Sequence, residues 1–175
     1  MRIDRELLKR LASDTLESRL PLHRPKSDSR FIYRHPVRAT VKRFEEIDHT
    51  ADVAIRAYGH TANELFANTA EGLFSLIVNL DTVEPKGEAR VQVTGDDLKN
   101  ALFRFLSELL FVHETQHVVF RDFEVAVDGF AVDAVAHGEQ IDPKRHELQL
   151  NVKAVTYNNM ELDIEKGQAT VVFDI

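Results

Sequence analysis

Cysteine is absent, and no run of about 18 uncharged apolar residues occurs in the 175-residue chain. The first absence excludes a disulfide framework and thiolate ligands for structural zinc, and the second excludes a membrane-spanning helix. No Ser or Cys nucleophile motif is present, and no internal repeat is evident. The N-terminus carries Arg2, Asp4, Arg5 and Glu6 rather than an apolar stretch leading to a cleavage site, so it does not read as a secretory signal. Asp4, Glu6, Asp14, Glu17 and Asp28 do not suit an organelle transit peptide, which is nearly free of acids. Together these absences set the expectation of a soluble protein in a reducing compartment, the cytoplasm.

Charge is divided along the chain. Residues 1–43 hold 12 Lys and Arg against 5 Asp and Glu, a balance of +7, whereas residues 44–175 hold 10 against 24, a balance of −14. An acidic body repels nucleic acid, because each phosphate neutralised needs a Lys or Arg, so metal ions or a basic partner suit it better.

The length fits one ordinary domain with an appendage. Leu7, Leu8, Leu11, Leu16 and Leu20 allow a short amphipathic helix over 4–20, and Pro21, Pro25 and Pro36 give residues 21–38 the composition of a linker. Organised patterning begins near Val41. Val53, Ile55 and Ala57 alternate with their neighbours as a strand ending at Gly59. Thr61-Ala62-Asn63-Glu64 is a capping-box pattern, and Phe66, Ala70, Leu73, Phe74 and Ile77 place an apolar stripe along a helix from Thr61 to about Leu80.

A strand around Val91 and Val93 precedes Gly95-Asp96-Asp97, which opens a second helix striped by Leu98, Leu102, Phe105, Leu106, Leu109 and Leu110. From His117 the period becomes two. Phe123, Val125 and Val127 read as a strand before the Asp128-Gly129 turn, and strands are predicted over 131–136, 148–157, 160–164 and 169–175. Early helices and a strand-rich second half imply an α+β fold, with two amphipathic helices packed on a largely antiparallel sheet.

The densest group of chemically active residues is Asp48-His49-Thr50-Ala51-Asp52, just before a strand. Its oxygens suit a hard cation such as Ca²⁺, Mg²⁺ or Mn²⁺, but the same residues could simply close a turn or cap backbone amides. The chain finishes Thr170-Val171-Val172-Phe173-Asp174-Ile175, where Asp174 precedes a residue able to contribute its α-carboxylate. If that strand lies beside the one after Asp52, then Asp52, Asp174 and Ile175 form a compact oxygen site. His113 and His117 stand four apart, a helical spacing for a metal pair, though an imidazole at a helix end also meets exposed carbonyls. Asp142, His146 and Glu147 could form an acid–base set, with the Asp142-Pro143 turn as the alternative for Asp142.

FEEIDHTADVAI, ELFANTAEGLF, GDDL followed by LFRFLSELLF, VKAVTYNNMEL and VVFDI occur together in one order. In that order and spacing they resemble the archease family from Phe44 to Ile175, leaving 1–43 as a basic N-terminal extension and linker. The resemblance implies an archease-like α+β fold and a divalent cation, calcium first, held by Asp52, Asp174 and Ile175. It implies no catalysis by the chain itself. The partner would be the GTP-dependent RNA-splicing ligase that joins a 2′,3′-cyclic phosphate or 3′-phosphate end to a 5′-hydroxyl. The chain would promote guanylylation and repeated turnover in tRNA splicing and RNA repair, meeting RNA only through the ligase. Many relatives carry His where Asn158 stands, so no role resting on that imidazole transfers. Competing readings are a metal-dependent phosphohydrolase using Asp52 and Asp174, and a chaperone-like interaction module acting by charge complementarity.

Overall fold

Alternation along Val53–Tyr58 sends Ile55 and Ala57 into the interior and leaves Arg56 and Tyr58 half-buried, as the period of a strand requires. The structure is a computed structural model that describes residues 42–48 and 53–175, Asp48 by its main chain only. The helix expected over 4–20, the linker over 21–38 and residues 49–52 lie outside the described residues. The elements are β1 (Phe44–Asp48), β2 (Val53–Tyr58), α1 (Ala62–Ile77), a 3₁₀ turn (Leu80–Thr82), β3 (Gly87–Thr94), α2 (Leu98–Gln116), β4 (Val118–Asp128), β5 (Ala131–Gln140), β6 (Ala154–Asp163) and β7 (Gln168–Asp174).

Local chemistry sets both helices. Thr61 caps α1 by accepting from the Glu64 amide at 3.1 Å, while the Glu64 carboxylate accepts from the His60 amide at 2.8 Å, one residue earlier than a standard capping box. Asp97 caps α2, accepting from the Asn100 amide at 2.7 Å, and the Asn100 side chain accepts from Asp96 N–H at 3.2 Å. At its other end His117 takes the left-handed conformation (φ 53°) and its N–H closes on the His113 carbonyl. The expected stripes are buried, except that Leu98 is only partly so.

The α+β fold stands, and its antiparallel sheet is divided in two. One sheet runs β1-β2-β7-β6 and the other β3-β5-β4, every pairing antiparallel. Helix α1 packs on β2 and β4, and α2 on β3 and β6, so each helix joins the two sheets over one core. Phe74 meets Phe120 and Phe123 at ring distances of 5.3 and 5.6 Å, and Phe66 stacks on Phe105 at 6.2 Å. No helix among the described residues is long and apolar enough to cross a membrane.

The strand expectations over 148–164 change. Residues 148–157 and 160–164 do not form separate strands: β6 starts at Ala154 and continues to Asp163, with its register to β7 shifting between Thr156 and Glu161. Residues 148–150 have another task. The amides of Gln149 and Leu150 donate to the Ile77 and Leu76 carbonyls at 2.9 and 3.0 Å, satisfying acceptors that the end of α1 leaves open. An extended apolar stretch therefore caps a helix, which hydrophobic pattern alone does not distinguish from a strand.

Candidate metal centre

Strand β7 lies between β2 and β6, so its last residue sits at the end of a strand paired on both sides. Across that end of the sheet, Asp48 is opposite Val53, Val53 opposite Phe173, and Asp174 opposite Ala154. Asp174 and Ile175 are exposed. Asp52 lies outside the described residues; its chain neighbour Val53 is the register partner of Phe173, the residue before Asp174.

Lys153 adds a positive charge that sequence reasoning passed over. Its amide donates to the Asp174 carbonyl at 2.8 Å, and its Nζ donates to the main-chain oxygen of Ile175 at 2.9 Å. The signal was present, since Lys153 stands in VKAVTYNNMEL, but a single lysine before a strand has no local pattern that names its partner. The donors on view, an exposed Asp174 carboxylate beside the main-chain oxygen of Ile175, fit a hard cation in kind. They are short of a full set: among the described residues no three His, Asp or Glu side chains gather as a metal site.

The other candidate residues are occupied structurally. His113 Nδ1 lies 2.6 Å from the Val118 carbonyl, which can only accept, so that nitrogen carries the proton. His117 is the left-handed cap of α2, its N–H bonded to the His113 carbonyl. Asp142 N–H donates to His146 Nδ1 at 2.9 Å, so the proton of this fully buried imidazole is on Nε2, which donates to Glu139 Oε1 at 3.1 Å. Asp142 Oδ1 accepts from the Lys144 amide, and Glu147 accepts from Asn79 Nδ2. Asp142, His146 and Glu147 thus bind loops together.

Glu139 is the centre of that arrangement. Its nearly buried carboxylate takes both Nη groups of Arg145, the Glu84 amide at 2.6 Å, His146, and Lys86 at 3.4 Å. The Arg145 hydrogen bonds, aided by the Glu84 amide, His146 and Lys86, outweigh desolvation and hold the Glu139 carboxyl far below the usual carboxylate range.

Sequence comparison agrees with this architecture. The archease protein family matches residues 44–175. The protein archease of Pyrococcus abyssi is 44% identical over 127 residues, covering 70% of this chain and 89% of the relative. That of Methanopyrus kandleri is 43% identical over 129 residues, covering 71% and 92%. The solution structure of protein 1598 from Methanobacterium thermoautotrophicum superposes with a TM-score of 0.65 at 35% identity, covering 76% of this chain and 99% of that one. With the family match spanning residues 44–175 and two relatives above 40% identity covering most of both chains, the chain belongs to the archease family.

Proposed function

We propose that this protein is a non-catalytic activator of the GTP-dependent RNA-splicing ligase, promoting its guanylylation and repeated turnover in tRNA splicing and RNA repair. Family membership supports the partner, and the acidic balance of residues 44–175 favours a protein surface over direct RNA binding. The observation that carries the reading is the β2–β7 register, in which the residue after Asp52 is opposite the residue before Asp174.

Asp52, Asp174 and the main-chain carboxyl of Ile175 would hold a divalent cation, calcium being the first choice for an all-oxygen set. Such an ion supplies concentrated positive potential, the kind of electrostatic placement on which nucleotidyl transfer depends. The protein's own contribution is rigidity. Asp174 is paired with Ala154 of β6, Phe173 before it is paired with Val53 of β2, and Lys153 ties the Ile175 oxygen to the start of β6.

Asp174→Ala and Asp52→Ala test this directly. Calcium affinity of Asp174→Ala, measured by calorimetry, falls about tenfold or more as one anionic donor is lost. Stimulation of multiple-turnover ligation by a cognate ligase falls with it in both variants. Because Asp174 is exposed, the thermal midpoint moves little. Full stimulation by both variants removes the metal-centred reading.

A further inference from the structure

A recess of about 270 Å³ opens along the last turns of α2. It is smaller than the roughly 300–1,000 Å³ of drug-sized ligand sites, so its scale is that of a single side chain. Leu110, Ile141 and Val152 line it with aliphatic surface, and His113, Glu114, His117, Asn151 and Lys153 supply polar groups.

Among these polar groups Glu114 and His113 can accept hydrogen bonds. Glu114 is an exposed carboxylate. His113 uses its Nδ1 proton on the Val118 carbonyl, so that when the imidazole is neutral its Nε2 is an acceptor. The recess follows the C-terminal end of a 19-residue helix, where the dipole places about half a negative charge. His117 has both main-chain groups engaged, its N–H with His113 and its carbonyl with Ile141 N–H at 2.8 Å. Lys153 also lines the recess, with its Nζ donating to the main-chain oxygen of Ile175. The aliphatic lining suits a methylene stem, and the acceptors suit a cationic head.

We propose that this recess receives an arginine side chain presented by a partner protein. The stem would lie against Leu110, Ile141 and Val152, with the guanidinium donating to Glu114. The −14 balance of residues 44–175 favours approach by such a basic surface. As an interface for the ligase the proposal rests on the function stated above, but occupancy by a guanidinium does not. Lys153 links the two places, since it lines the recess and contacts Ile175.

Agmatine, decarboxylated arginine, is the probe, with n-butylamine as the control for its ammonium end. Titrated into isotopically labelled full-length protein, it shifts the methyl resonances of Leu110, Ile141 and Val152 saturably, with a Kd on the order of 1 mM. Glu114→Gln weakens binding several-fold and Glu114→Lys abolishes it, while Asp174→Ala leaves it unchanged. Glu114→Lys also lowers affinity for the cognate ligase without altering calcium affinity. Loss of stimulation in the Asp174 variant with no agmatine binding overturns the recess alone; agmatine binding with full stimulation by the Asp52 and Asp174 variants overturns the metal-centred function alone. Saturation of the same methyls by inorganic phosphate instead of agmatine, or an unaltered titration in Glu114→Lys, overturns the guanidinium assignment.

Discussion

Gly138→Ala destabilises the protein by more than about 4 kcal/mol, enough to populate the unfolded state of a typical domain. A Cβ built at Gly138 stands 1.9 Å from the Val119 carbonyl oxygen and 2.8 Å from Phe120 Cα, both main-chain atoms of β4 that cannot rotate aside. Relief requires β4 to move away from β5 where the register already shifts between Phe120 and Asp122. Val119 and Phe120 are buried there, and Phe120 packs edge-on against Phe74, so separation opens the core as well as the ladder. Gly87, opposite Gly138 on the other neighbouring strand, is the internal control. Its added Cβ would lie 3.7 Å from the Gly138 oxygen, an ordinary contact, so Gly87→Ala costs less than about 1 kcal/mol. Urea unfolding of the two variants decides the point: equal midpoints would mean that β4 and β5 do not approach this closely.

The same glycine shows where sequence pattern stops being informative. Alternation ends the predicted strand at Ala136, because His137-Gly138 breaks the pattern and glycine ordinarily weakens strands. The strand continues to Gln140, and glycine is what lets β4 come close. Helices α1 and α2 were legible because their determinants are local: a cap, a stripe repeating every three or four residues, and a stop. Division into two sheets was not, since pairing β2 with β7 joins residues more than a hundred positions apart. At the candidate site, Asp174 could be singled out from its place beside Ile175, whereas the Lys153 contact depended on the β6–β7 register. The motif order carried more than any single spacing, because five weak patterns in series constrain the family as none does alone.

Glu139→Gln lowers stability by about 2–3 kcal/mol at neutral pH, and the deficit shrinks on acidification. The size follows from what the carboxylate does: its side chain is 7% exposed and it accepts from Arg145, His146 and the Glu84 amide. An amide in its place keeps the shape but presents one acceptor where two charged oxygens stood, and leaves fully buried His146 with a weaker partner. The pH dependence has a fixed sign. Glu139 titrates far below its ordinary value of 4.5 in the folded protein, so its contribution is complete above that pH and is lost progressively as the pH falls below it. Wild-type stability therefore drops more steeply than that of Glu139→Gln between about pH 5 and pH 3, and the two curves converge. Parallel curves from chemical denaturation across that range would show that Glu139 is not held as its partners imply. Because Glu139 lies near the end of β5 while Arg145 and His146 follow the Asp142 turn and Glu84 precedes β3, the same variant loosens both loops together. Amide exchange in the neutral-pH variant should accordingly rise at Glu84, Arg145 and His146, and stay unchanged at the distant Lys153–Asp174 hydrogen bond.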